Sequence, residues 1–95
     1  MQYELLISPI AFKEANAAYN YYEEKQIGLG ERFIKSLKEA YYKLSQNPQY
    51  YSYIKSKTDV RDIKIKDFPF LIIYQIIKDR VYVLRVFNTN RNPQF

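Results

Sequence analysis

The run Phe70–Ile77 constrains the fold most, because only Tyr74 and Gln75 among its eight residues, FLIIYQII, carry a polar group. Its β-branched and aromatic residues favour a strand, in which successive side chains point to opposite sides. Both faces of this strand are apolar, as in a central strand covered on both sides. Alternate residues of this strand form two sets, and one of them lies under the rest of the fold. The first set is Phe70, Ile72, Tyr74 and Ile76, and the second is Leu71, Ile73, Gln75 and Ile77.

The first half of the chain predicts two helices. Ser8-Pro9 marks a helix start, since a serine oxygen can accept a hydrogen bond from a free amide and proline is tolerated in the first turn. Apolar residues follow at helical spacing, so the first helix runs from about Pro9 to about Lys25, and Gly28 and Gly30 break it. The second helix begins near 29–31, and its apolar stripe consists of Phe33, Leu37, Ala40 and Leu44.

The second helix ends at Asn47-Pro48, because the residue before a proline avoids the helical conformation. The remaining predicted strands are Tyr3–Ile7, Val60–Lys66 and Val81–Phe87. Simple alternation along the last strand predicts one face made of Val81, Val83, Arg85 and Phe87. The order β-α-α-β-β-β predicts one α+β domain over residues 1–95, with a helical hairpin packed on a small, mainly antiparallel sheet. The uncovered face would be an apolar groove rimmed by Arg and Lys.

The net charge of +5 lies entirely in the second half of the chain. Residues 1–47 carry six basic and six acidic side chains, whereas residues 48–95 carry nine and four. Such a field suits an acidic partner, either nucleic acid or an acidic protein segment, although a solvated basic surface fits the charge equally well.

Cysteine and histidine are both absent from the sequence. Disulfides, thiolate nucleophiles and cysteine-ligated zinc are therefore excluded. Acid–base chemistry would need a tuned carboxylate, Lys or Tyr, and we expect no metal and no cofactor. The start of the chain lacks the basic and long apolar segments of a signal peptide, and no run reaches the length of a membrane span. We expect a cytoplasmic protein that does not bind membranes.

The order and spacing of several motifs resemble the RelE/ParE toxin superfamily of type II toxin–antitoxin systems over essentially the whole chain. The Phe68-Pro69-Phe70 approach to the central strand and the Arg91-Asn92-Pro93 tail are most similar to the ParE branch and its plasmid-stabilisation relatives. The other matching segments are Ser8-Pro9-Ile10-Ala11, the helices with Tyr22 and 33–44, Asn47-Pro48, the strand 60–65 and the strand 81–87.

The resemblance implies a toxin that arrests growth by binding DNA gyrase and that a cognate antitoxin neutralises in a hetero-oligomer. Two alternatives remain open: a RelE-like enzyme that cleaves messenger RNA on the ribosome, and a relative that has lost toxicity but still binds its antitoxin. Asn88 stands where many relatives have a histidine, and Phe95 stands where many have Trp or Tyr. Because both changes remove candidate acid–base groups, an enzyme is the less favoured interpretation, and no catalytic residue is assigned.

Six residues are candidates for contact with the target or the antitoxin. Arg61 and Arg85 could each hold a phosphate or a carboxylate, and Arg61 could instead pair with Asp59 or Asp79. Arg85 lies among apolar residues in the predicted strand, so it needs a partner or an open groove. The remaining candidates are Lys64, Tyr74, Asn88 and Arg91.

For three of these residues a structural role competes with contact. A blunted strand edge explains Lys64 better than contact does. The core explains Tyr74 better than stacking on a base does, and a solvated tail explains Arg91 better than contact does. Glu23 and Glu24 are adjacent on the first helix and do not face each other, so a solvated helix face is expected for both.

Overall fold

The computed structural model describes residues 2–50 and 60–90. It contains four strands, two helices and one short 3₁₀ turn at Pro48–Tyr50. The strands are β1 (Glu4–Ile7), β2 (Val60–Lys64), β3 (Phe70–Ile77) and β4 (Arg80–Asn88), and the helices are α1 (Pro9–Lys25) and α2 (Leu29–Gln46). The predicted order β-α-α-β-β-β is confirmed. No helix in the described part of the chain is long and apolar enough to cross a membrane.

The four strands form one sheet in the spatial order β1-β4-β3-β2. β1 runs parallel to β4, whereas the pairs β3–β4 and β2–β3 are antiparallel. The predicted mainly antiparallel sheet is thus confirmed, and β3 and β4 occupy its centre. β2 ends at Lys64, two residues before the predicted end, because the backbone turns at Asp67 with a positive φ of 70°.

Both helices start and stop where local chemistry predicts. The Ser8 side-chain oxygen accepts a hydrogen bond from the Ala11 amide at 3.0 Å, and Pro9 occupies the first turn. Gly28 precedes α2 with a φ of 89°, which glycine adopts at little cost. α2 ends at Gln46, directly before Asn47-Pro48, as predicted.

Gly30 does not break a helix, as the sequence had suggested, but lies within the first turn of α2. A Cβ at Gly30 would lie 2.7 Å from the Tyr19 carbonyl oxygen, so glycine here permits a close approach of the two helices. Glu23 is also not simply solvated. Its carboxylate accepts hydrogen bonds from the Gly28 and Gly30 amides, both at 3.0 Å, because the free amides at the start of α2 lie beside it.

The hydrophobic core lies between the helical hairpin and one face of the sheet. Of the two alternate sets on β3, the one containing Phe70, Ile72 and Tyr74 faces the helices, and Ile76 packs against the same core. An aromatic cluster closes one end of this core, with ring centroids 4.9 to 6.2 Å apart for the contacts of Tyr22 with Phe33, Phe68 and Phe70.

A β-bulge changes the faces of β4. Tyr74 pairs with Val83, while the preceding Ile73 pairs with Arg85, so Leu84 is an extra residue. The strict alternation predicted for this strand is therefore wrong. Val81, Val83 and Val86 share the core beneath the helices, whereas Arg85 lies opposite Ile73 on β3.

Candidate functional site

In the described part of the chain, a strand covers the outer edge of β4 along only part of its length. β1 pairs with Arg80–Val83 and ends at Ile7. The Ser8 amide then donates to the Val83 carbonyl at 2.9 Å, and the Ser8 hydroxyl donates to the Leu84 carbonyl at 2.9 Å. From Ser8 the chain continues into α1, so among the described residues the remainder of β4 has α1 rather than a strand along its outer edge.

A single carboxylate, that of Glu14 on α1, occupies this edge. Its Oε1 accepts a hydrogen bond from the Val86 amide at 2.9 Å. The Arg85 Nε lies 3.0 Å from both carboxylate oxygens, and the Arg85 Nη2 also donates to Oε2. Glu14 thus satisfies a backbone donor of the sheet and an arginine at the same time.

The Arg85 guanidinium is held in place by more than its charge. Its pKa is raised, mainly by the hydrogen bonds to Glu14, while partial burial acts in the opposite direction. The guanidinium carbon also lies 5.7 Å from the centre of the Phe87 ring, within cation–π range. The sequence-based expectation that Arg85 needs a partner is therefore met within the chain.

A groove of about 690 Å³ runs between α1 and this part of β4. Small residues of α1 leave the space, and aromatic rings border it. The lining residues are Glu14, Ala17, Ala18, Tyr21, Tyr22, Pro69, Phe70, Arg85, Val86, Phe87, Asn88 and Asn90. Of the six candidates, the groove brings together Arg85 and Asn88. The Asn88 side-chain oxygen accepts a hydrogen bond from the Asn90 amide at 2.9 Å, which forms a turn at the end of β4.

Two other candidates, Arg61 and Tyr74, hold the turn that follows α2. They are neighbours across β2 and β3. The Tyr74 hydroxyl donates to the Pro48 carbonyl at 2.6 Å, and the Arg61 Nη1 donates to the Gln49 carbonyl at 2.8 Å. Tyr74 is fully buried, so its ring is not available to stack on a base.

Lys64 lies at the opposite edge of the sheet from Arg85 and is exposed, opposite Leu71. Arg91 and Asp59 lie outside the described residues.

Asp62 is the middle residue of β2 and pairs with Ile73, whose other neighbour is Arg85. Burial raises the pKa of the Asp62 carboxyl.

The profile of the ParE toxin of type II toxin–antitoxin systems, parDE, matches residues 5–93. The chain belongs to the ParE toxin family. A solved structure described as the chromosomal ParDE TA system from P. aeruginosa has the same fold, with a TM-score of 0.76 and 17% sequence identity. The match covers 90% of this chain and 94% of that chain. No curated protein matches the sequence.

Within this ParE-family chain, sequence reasoning did not identify Glu14. Its signal was indirect: a mid-strand arginine among apolar residues requires a carboxylate, and α1 offers Glu14, Glu23 and Glu24. Choosing among the three requires the crossing of α1 over β4, because Glu14 and Arg85 are 71 positions apart in sequence.

In the described residues, no group of three or more His, Cys, Asp or Glu side chains could hold a metal ion. The Tyr74 hydroxyl and the Arg85 guanidinium, which a phosphate-cleaving groove would present to its substrate, are each hydrogen-bonded within the protein.

Proposed function

We propose that this ParE-family toxin inhibits DNA gyrase by binding it, and that a cognate antitoxin neutralises it in a cytoplasmic hetero-oligomer. The family match over residues 5–93 carries the proposal. The similar structure from P. aeruginosa, described as a ParDE TA system, supports an antitoxin partner. Inhibition would arise from binding energy alone, supplied by aromatic and arginine anchors at the interface.

The internal pairing of Arg85 favours binding over RNA cleavage. A ribonuclease would use free cations to stabilise the charge that develops on the scissile phosphate. In this chain the Glu14 carboxylate already neutralises Arg85, and the Tyr74 hydroxyl is committed to the Pro48 carbonyl. Neither group can take part in phosphate chemistry without first losing its partner.

Pulse labelling of DNA and protein synthesis in the first minutes after induction tests the proposal. We expect DNA synthesis to fall first, and we expect the purified chain to inhibit supercoiling by purified gyrase. A variant carrying Val81→Asp, which disrupts the core, serves as the inactive control. Co-expression of the antitoxin should restore growth.

Two outcomes would contradict the gyrase proposal. If protein synthesis falls first and messenger RNA is cut on the ribosome, the chain is a RelE-like endonuclease. If neither synthesis changes while the antitoxin still forms a complex with the chain, it is a non-toxic antitoxin-binding relative.

A further inference from the structure

The outer face of α2, which points away from the sheet, carries a row of charges that alternate in sign. Glu31, Lys35, Glu39 and Lys43 follow one another at intervals of four residues, and all four are exposed. Because residues four apart are neighbours on a helix surface, these side chains form one row, called here the charged row. The simplest role for such a row is a set of ion pairs within the helix.

The side chains of the charged row do not pair with one another. Among the described residues, the ion pairs within 4.0 Å join Arg80 to Glu4 and Arg85 to Glu14, and none involves the charged row. The four charges therefore extend into solvent, where a second molecule can reach them.

Apolar side chains lie beside the charged row in a shallow groove on the outer face of the helical hairpin. Tyr42 is 66% exposed, while Ile34 and Tyr19 are half-buried, and all three line this groove. Tyrosine is among the residues that most often anchor protein interfaces. An exposed tyrosine and an isoleucine bordered by charges thus resemble the apolar centre and polar rim of an interface.

The order of the charges indicates which partner fits. Read toward the C-terminus, the charged row is negative, positive, negative, positive, and read in the opposite direction every sign is reversed. A second α2 laid antiparallel, with a two-fold axis level with Leu37, places Glu31 opposite Lys43 and Lys35 opposite Glu39. A parallel copy in the same register would place like charges opposite each other.

We propose that the outer face of α2 is a self-association surface on which two copies of the chain pair antiparallel. Each copy contributes both partners of two kinds of ion pair, and Tyr42 and Ile34 are buried between the helices. One helix face is small beside the roughly 800 Å² per partner of a stable interface, so the dimer is weak and depends on concentration. The inference goes beyond the proposed function and does not depend on whether gyrase is the target.

The distribution of net charge favours this face for a contact between copies. Residues 1–47, which contain both helices, carry six basic and six acidic side chains, and the excess of +5 lies in the second half. Because the hairpin lies between its outer face and the sheet, pairing through α2 keeps the two basic halves apart. Lys38 has no acidic counterpart in this register, but it is exposed and long enough to keep its ammonium group in water.

Sedimentation of the purified full chain, from about 10 µM to about 1 mM, tests the inference in the range of weak protein contacts. We expect the wild type to shift from monomer to dimer. Lys35→Glu and Glu39→Lys each place like charges opposite each other in a pair of identical copies, so each variant should dimerise about tenfold more weakly or less.

Combining the two substitutions makes the test specific for the antiparallel register. The double variant Lys35→Glu/Glu39→Lys again has opposite charges at both contacts, so it should dimerise about as well as the wild type. An equimolar mixture of the two single variants should also associate, which shows at the same time that both are folded. Lys66→Glu is the matched control, because it makes the same charge change at an exposed site in the turn between β2 and β3 and should leave dimerisation unchanged.

Several results would overturn the inference. The wild type could remain monomeric up to about 1 mM, the double variant could stay as weak as the single ones, or Lys66→Glu could weaken the dimer equally. If the wild type is monomeric but Lys35→Glu and Glu39→Lys lose inhibition of gyrase, the outer face of α2 contacts the target and not a second copy. A chain that dimerises as expected but does not inhibit gyrase would contradict the proposed function alone.

Discussion

The core-facing valines of the two halves of β4 are equally buried, but the outer edges of the two halves are paired differently. Val81 and Val83 in the first half and Val86 in the second have exposures of 0 to 1%. The outer edge of the first half lies beside β1, whereas that of the second half meets the carboxylate of Glu14. The second half is therefore held at its outer edge by one side chain, which can move without breaking a strand.

The bulge at Leu84 marks the boundary between these halves. Ser8 lies at the same point, where its hydroxyl contacts the Leu84 carbonyl and its oxygen caps α1. Ser8 therefore lies where the pairing of β1 with β4 ends and where α1 starts. The helix α1 then places Glu14 beside the second half of β4. The difference between the halves is consequently a feature of the backbone pairing.

Val81→Asp should unfold the covered half and with it the whole domain. An unpaired carboxylate at a fully buried position costs about 4 kcal/mol or more, which is a large part of a small domain's stability. Urea unfolding followed by circular dichroism measures the loss. Lys64→Asp also introduces a carboxylate into the sheet, but at an exposed site, and should change stability little. A cooperative, near wild-type transition for Val81→Asp would disprove the assigned core.

Glu14→Ala should destabilise the protein by about 1–2 kcal/mol, a value that allows for the partial exposure of the ion pair. The variant leaves the Val86 amide without its acceptor, so exchange of that amide with solvent should accelerate. Exchange of the Ser8 amide, which donates to Val83 in the covered half, should change no more than overall stability requires. Equal acceleration at both amides would mean that the two halves open together.

Ser8→Ala should cost about 1 kcal/mol, the usual value of an N-terminal cap. It removes the acceptor for the Ala11 amide and the donor to the Leu84 carbonyl. Thermal unfolding measures the loss, and Ser45→Ala, which removes a local bond to the Tyr42 carbonyl, is the control.

Asp62→Asn should stabilise the protein at neutral pH by about 0.5 kcal/mol or less, as expected for a partly exposed position. Burial raises the pKa of Asp62, so the folded state favours the protonated carboxyl. Its contribution to stability is therefore greatest at acid pH and is lost as the pH rises through the folded-state pKa. Urea unfolding at several pH values across this range should show that the free energy of unfolding of the wild type falls as the pH rises. The slope of this free energy against pH should be smaller for Asp62→Asn. An unchanged slope would assign the pH dependence to another group.

Local signals in the sequence were sufficient for the elements and their order. Ser8-Pro9 and Asn47-Pro48 fix helix ends through capping and through the restriction that proline places on its predecessor, and both act over a few residues. The apolar composition of the run Phe70–Ile77 was enough to predict a strand that is covered on both faces. The faces of β4 could not be derived in this way, because the bulge at Leu84 is a property of pairing between two strands.

The candidate site also contains residues that the sequence identified and residues that only the structure revealed. Arg85 was identified because an arginine among apolar neighbours needs a partner, but Glu14 was missed because three carboxylates of α1 were equally available. Tyr74 and Arg61 were predicted as contacts, and only the structure shows that they donate hydrogen bonds to the carbonyls of Pro48 and Gln49.

The sequence by itself determined that this chain forms a helical hairpin on a small sheet and that its second half is basic. Hydrophobic periodicity, helix caps and charge depend only on single residues and on neighbours close in the sequence. Only the tertiary structure decided which face of β3 the helices cover, where β4 loses its neighbouring strand and which carboxylate takes its place. Those features depend on groups far apart in sequence that the packing of α1 against β4 brings within hydrogen-bond distance.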